Sequence, residues 1–76
     1  MRVEVSLWGN LRRFSPGGVG SMALEVAEGA TIQQVAREIG AEHDVFAASL
    51  NGRLAALSTP LSANDRVLLF DHFKGG

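Results

Sequence analysis

The sequence predicts a two-layer α+β domain, a mixed sheet packed on one main helix, and three observations lead to it. A segment with strand-like alternation opens the chain and a β-rich apolar run lies near its end, one helix-period segment lies between them, and clusters of turn residues separate each from the next. The chain has 76 residues, enough for a single domain and one core. A domain of this size buries only about 60% of the surface its unfolded chain exposes, which leaves little interior for a walled active site beside the core.

Met1, Val3, Val5 and Leu7 alternate with Arg2, Glu4 and Ser6, the period-two pattern of a half-buried strand. The run Ser15-Pro16-Gly17-Gly18-Val19-Gly20-Ser21 reads as a loop. It leads to Met22, Leu24 and Val26, which alternate with Ala23, Glu25 and Ala27 and predict a second strand antiparallel to the first. Thr31-Ile32-Gln33-Gln34 has the form of a capping box, in which the threonine hydroxyl accepts from the backbone of the glutamine and the glutamine side chain reaches back. From there Ile32, Val35, Ala36 and Ile39 fall on one helical face, Gln33, Gln34, Arg37 and Glu38 on the other, and Gly40 is placed for a left-handed C-terminal stop.

Beyond the helix, Phe46-Ala47-Ala48-Ser49-Leu50 and Arg53-Leu54 flank Asn51-Gly52, a pair that tolerates the two positive φ angles of a type I′ hairpin turn. Thr59-Pro60 and Ala63-Asn64-Asp65 mark further turns, and Arg66-Val67-Leu68-Leu69-Phe70 is expected to form a last, central strand. The order is strand, strand, helix, strand, strand, strand. The segment between Leu54 and Leu61 carries no clear period.

Composition narrows the function classes. Apolar residues make up 46% and charged residues 20%, which suits a folded globular domain and not a disordered one. A net charge of -1, with Arg12-Arg13 the only adjacent basic pair, offers no attraction for a polyanion, so nucleic acid is not expected as a partner. No apolar run approaches the about 20 residues of a membrane span, and Met1-Arg2-Val3-Glu4 lacks the apolar block of a signal peptide; a cytoplasmic location and no membrane partner are expected. Cysteine is absent, which removes a thiolate nucleophile, a disulfide and a thiolate metal site.

Candidate chemistry-bearing residues are few. His43-Asp44 looks like half of a triad and His72 invites an acid–base reading because histidine is the residue type used for it near neutral pH, but neither belongs to a nucleophile motif or a ligand cluster, and both read as surface residues. No catalytic residue and no metal site are expected. Trp8 and Met22 read as core or strand-edge residues, Phe70 as a residue that finishes the core, and Phe73 as an exposed contact. Arg12, Arg13 and Lys74 read first as solvated charges, and Lys74 could pair with an acidic group or a nucleotide phosphate of a partner.

The arrangement as a whole, ending in Gly75-Gly76, resembles the MoaD/ThiS family of ubiquitin-like sulfur carrier proteins, and is more like the small subunit of molybdopterin synthase than the thiamine-pathway carrier. The residues that carry the resemblance are Glu28-Gly29-Ala30-Thr31-Ile32, Leu50-Asn51-Gly52, Thr59-Pro60-Leu61-Ser62, Asp65-Arg66-Val67 and the diglycine; Leu11-Arg12-Arg13 after the first strand favours the molybdopterin branch. Where the family commonly has Asp-Gly-Asp, this chain has Ala63-Asn64-Asp65, and asparagine is the next residue after glycine to accept a left-handed conformation. Asp71-His72 stands where the molybdopterin branch often places prolines.

The resemblance implies a β-grasp domain over residues 1–70 and a flexible diglycine tail over residues 71–76. It implies that the Gly76 carboxylate is adenylated with ATP by an E1-like adenylating enzyme and converted, by a sulfur donor, to a thiocarboxylate that gives up its sulfur in cofactor biosynthesis. Gly75 would provide clearance in a narrow partner site, because a residue without Cβ permits close backbone approach. Phe73, Lys74, Phe70 and Arg12 are the partner-binding candidates, and a larger sulfur-transferring synthase subunit is a further expected partner. The chain itself would bind no cofactor and catalyse nothing. Two other readings stand beside this one: a protein modifier that spends the same activated glycine on lysines, and a non-covalent interaction module that works through its exposed sheet face.

Overall fold

The computed structural model describes residues 1–71. Among the described residues, five strands and one α-helix follow the predicted order: β1 (Arg2–Leu7), β2 (Ser21–Glu25), α1 (Ile32–Glu38), β3 (Val45–Leu50), β4 (Arg53–Ala55) and β5 (Arg66–Asp71). They form one sheet in the order β2-β1-β5-β3-β4. β5 is central, parallel to β1 and antiparallel to β3, so the sheet is mixed. β5 extends through Asp71, one residue past the expected strand.

Alternation decides which side of each strand is buried. Val3, Val5 and Leu7 of β1 and Val67 and Leu69 of β5 pack beneath Ile32, Val35 and Ala36 of α1, and all are nearly or fully excluded from solvent. Leu11, Ala48 and Leu61 complete the same core, while Met22, Leu24 and Ile39 close its edge half-buried. Burying one leucine or valine of this kind stabilises the fold by about 1.5–3 kcal/mol.

The helix begins as its capping box predicts. The Gln34 backbone N–H donates to the Thr31 hydroxyl at 3.2 Å, and the Thr31 backbone N–H donates to the Gln34 side-chain oxygen at 2.8 Å. Two further N–H groups of the first turn have no intrahelical acceptor, and the segment that carried no period supplies one for each: Ile32 donates to the Thr59 carbonyl at 3.1 Å and Gln33 to that of Leu57 at 2.8 Å. That segment is therefore held by the helix it caps. Gly40, at φ 84°, makes the predicted left-handed stop.

Two asparagines bring the turns together. Asn51 and Gly52 have φ of 51° and 89°, as a type I′ turn requires, and Asn64 takes φ 67° in the position where the resembled family has glycine. The Asn51 side chain also donates to Asp65 at 3.0 Å and accepts from the Arg66 N–H at 2.8 Å, so it ties the β3–β4 turn to the start of β5.

The stretch after β1 departs from the expected plain loop. Gly9–Phe14 forms a 3-10 turn and Pro16–Gly18 a second, shorter one. Ser15, buried between them, donates from its hydroxyl to the Arg12 carbonyl at 2.6 Å and accepts from the Gly20 N–H at 2.8 Å, which replaces ladder hydrogen bonds the turn cannot make. Among the described residues, no helix is long and apolar enough to cross a membrane.

Candidate functional site

The place to look is where β5 leaves the sheet, because the proposed reactive residues follow it. Gly76, Gly75, Lys74, Phe73 and His72 lie outside the described residues; Phe70, Arg12 and the end of β5 are described.

Phe70 does not finish the core. The apolar run Val67-Leu68-Leu69-Phe70 offers no polar residue to mark its parity, and the sheet register settles it: Val67 and Leu69 face α1, so Leu68 and Phe70 face the other way. There Phe70 is half-buried and meets Trp8 edge-to-face, with ring centroids 5.9 Å apart and planes at 70°. Trp8 directly follows β1, opposite in parity to Leu7, and is 60% exposed; it is a strand-edge residue and not a core one. The two aromatics present apolar surface beside the strand end.

The backbone at this end is pinned at two points. The Trp8 N–H donates to the Leu69 carbonyl at 3.0 Å, continuing the β1–β5 pairing by one residue. The Asn10 N–H donates to Asp71 Oδ2 at 2.9 Å, so the last residue of β5 caps the first turn of the 3-10 segment. Gly9, at φ 64°, passes so close to that carboxylate that a Cβ would collide with Asp71 Cγ at 2.8 Å. The glycine is needed for both the angle and the approach.

Arg12 sits on the 3-10 turn with its side chain laid along Gly20, where a Cβ would meet its Nε at 3.2 Å. With Trp8, Gly9, Val19 and Gly20 it lines an open groove of ≈ 420 Å³. Trp8 therefore joins the two described partner-binding candidates: it meets Phe70 edge-to-face and shares the groove with Arg12. Sequence reasoning named Arg12 and Phe70 but missed Trp8, Gly9 and Asp71 as parts of one structure. The parity of Trp8 against Leu7 was the available signal for the first; nothing local relates Gly9 to Asp71, 62 residues apart in the chain.

The remaining charged candidates are engaged elsewhere. Arg13 pairs with Asp44 at 3.4 Å and stacks over Phe14, 4.7 Å from its ring centroid. His43 is exposed and lies 3.7 Å from Glu42, so His43 and Asp44 point to different partners and make no triad. The Arg37 Nε donates to Glu42 at 2.9 Å and holds that carboxyl below its ordinary value of 4.5. Among the described residues, no three acidic or histidine side chains gather as a metal site.

Comparison with known proteins places this geometry. No curated protein matches the sequence. Among solved structures, the chain is similar to SAMP1 of Haloferax volcanii, with a TM-score of 0.76 at 22% identity over 100% of both chains. It is similar to a protein described as molybdopterin converting factor subunit 1 from Pyrococcus furiosus, with a TM-score of 0.73 at 25% identity over 92% of this chain and 95% of that one. It also resembles a chain in the complex of subunits 1 and 2 of the molybdopterin-converting factor of Helicobacter pylori, with a TM-score of 0.63 at 24% identity over 100% of both. These likenesses show the ubiquitin-like β-grasp fold. A sequence model of the ThiS family matches residues 5–76, a span that begins inside β1, takes in every later element and runs through the diglycine. On that match the chain belongs to the ThiS family.

Proposed function

We propose that the chain is a sulfur carrier that works through its Gly76 carboxylate. The observation that carries the reading is that the family match runs through Gly75 and Gly76, so the resemblance includes the reactive end and not the domain alone. A carboxylate is a poor electrophile. One of its oxygens attacks the α-phosphorus of ATP within an E1-like partner, pyrophosphate leaves, and the acyl adenylate is then open to hydrosulfide released by the sulfur donor, which displaces AMP and loses its proton to solvent. The resulting thiocarboxylate is anionic at neutral pH and nucleophilic for the reason a thiolate is. It donates sulfur to an activated biosynthetic intermediate, with a molybdopterin-type acceptor favoured and a thiamine-type acceptor next.

In this reading the chain supplies the carrier and its partners supply catalysis. The Phe70 and Trp8 rings offer apolar contact area next to the strand end, and Arg12 offers a cation, residue types enriched in protein interfaces. The pinned end of β5 gives the tail a fixed point of departure. The likeness to subunit 1 of the molybdopterin converting factor supports a larger synthase subunit as one partner.

Intact mass spectrometry tests the proposal. The chain is incubated with the host's adenylating enzyme, ATP and a sulfur donor, beside a variant that lacks Gly76. A mass gain equal to the exchange of one oxygen for sulfur, absent from the truncated chain, is expected. No gain with an enzyme shown to load another carrier would turn attention to a non-covalent role of the sheet face. A protein-modifier role uses the same activated glycine, and lysine-linked conjugates in cell extract would reveal it.

A further inference from the structure

β2 is an edge strand with little of the usual protection. Sheet edges are ordinarily blunted by brevity, charged side chains, proline, a bulge or a covering segment. β4, at the other edge, is three residues long. β2 pairs with β1 in unbroken register over all five of its residues, Ser21-Met22-Ala23-Leu24-Glu25, has neither proline nor lysine, and carries a single charge, Glu25, at its end, 3.5 Å from the Met1 ammonium of the same chain.

The hydrogen-bond pattern shows which groups point outward. Met1 and Val26 exchange two hydrogen bonds of 2.7 Å, and the Leu7 N–H donates to the Gly20 carbonyl at 2.7 Å. Hydrogen-bonded and non-hydrogen-bonded pairs alternate along an antiparallel ladder, so Leu24 and Met22 bond to β1 as well. The N–H and C=O groups of Ser21, Ala23 and Glu25 therefore face away from β1, and all three residues are exposed.

From this we infer that the β2 edge is a self-pairing surface, whose occupant is β2 of a second copy of this chain, antiparallel and related by a two-fold axis at Ala23. The sequence of the edge favours a copy over an unrelated strand. Opposing Ala23 to Ala23 of the second copy engages all three outward residues, for about six inter-chain hydrogen bonds at two per opposed pair. The same register sets Ser21 against Glu25 of the second copy, a hydroxyl against a carboxylate, on both sides of the axis. On the α1 face it sets half-buried Met22 against Leu24 of the second copy, apolar against apolar. A register centred on Glu25 would oppose like charges, and one centred on Met22 or Leu24 leaves outward groups of β2 unmatched. The seam lies two strands from β5 in the sheet order, and antiparallel pairing puts the two β5 exits at opposite ends, so the carrier ends stay accessible.

Sedimentation velocity on the full chain, from about 1 μM to about 1 mM, reads the monomer–dimer equilibrium by mass action. The wild-type chain is expected to shift to dimer within that range. Ser21→Glu puts two carboxylate pairs across the seam and is expected to weaken the dimer roughly fivefold, while Ser21→Lys opposes opposite charges and strengthens it by a similar factor. Ala23→Pro removes an outward N–H without touching the β1 ladder, and is expected to leave a folded monomer with its thermal midpoint retained. A wild-type chain that stays monomeric throughout would overturn the inference and leave the edge to a strand of another protein. A dimer indifferent to the charge at position 21 would overturn it as well, whether or not Ala23→Pro folds.

Discussion

The Asn10 N–H donates to the Asp71 carboxylate at 2.9 Å across 61 residues of sequence, and this contact fastens the end of the central strand to the turn that follows the first one. Gly9, which precedes Asn10, has φ 64°, and a Cβ there would strike the Asp71 carboxylate. The arrangement yields a test by coupling. Gly9→Ala is expected to cost about 1–3 kcal/mol, from the left-handed angle and the collision together. Asp71→Ala is expected to cost about 1 kcal/mol for the lost hydrogen bond. In the double variant the collision disappears with the carboxylate, so the combined loss should fall short of the sum by about 1 kcal/mol in urea unfolding. Strict additivity would mean that the two residues do not meet.

The helix entry gives a second prediction. Thr31→Ala removes the hydroxyl acceptor of the capping box and should lower stability by about 1 kcal/mol, while Thr31→Ser should restore most of it. Chemical denaturation of the three chains checks the ordering.

Leu69 and Leu54 are both leucines in the sheet, and burial predicts opposite outcomes. Leu69 is fully buried under α1, so Leu69→Ala should cost about 2–5 kcal/mol and leave a marginal fold. Leu54 is 81% exposed on the far face of β4, and Leu54→Ala should change stability by less than about 0.5 kcal/mol. Thermal unfolding followed by circular dichroism separates the two directly.

Acid titration tests the Arg37–Glu42 pair. The folded carboxyl titrates below its ordinary value of 4.5, chiefly because Arg37 donates a hydrogen bond to its charged form. A depressed carboxyl contributes stability above the unfolded value and loses it as pH falls through the folded one, so the contribution is complete above about pH 4.5 and fades in more acidic solution. Arg37→Gln should bring the Glu42 titration, followed by carbonyl NMR shifts, back up towards 4.5.

The aromatic pair gives a prediction that rests on the proposed function. Phe70→Ala removes an edge-to-face contact worth about 0.5–1.5 kcal/mol beyond its area, and the fold should survive. Steady-state adenylation with the activating enzyme should then show a raised KM with kcat little changed, because in that reading the ring would touch the partner and not the reacting carboxylate. An unchanged KM would remove Phe70 from the docking surface.

Local pattern sufficed wherever one residue's chemistry answers a local need. Alternation marked β1 and β2, Thr31 and Gln34 marked the helix entry, and Asn51-Gly52 and Asn64 took the positive φ angles their turns require, since such preferences act within a few residues and survive in any surroundings. Tertiary structure decided the rest. The stretch from Leu57 to Thr59 has no period because its carbonyls serve the first turn of α1. Phe70 sits in an unbroken apolar run, and only pairing with β1 and β3 turned it outward onto Trp8. Gly9 and Asp71 share no local signal, and their contact exists because β1 and β5 lie side by side in parallel with Leu7 opposite Leu69, which brings the residues two further along each chain together. The sequence alone determined the α+β order of elements and the family to which the chain belongs. What frames the exit of β5 depended on contacts between residues far apart in the chain, which no local propensity encodes.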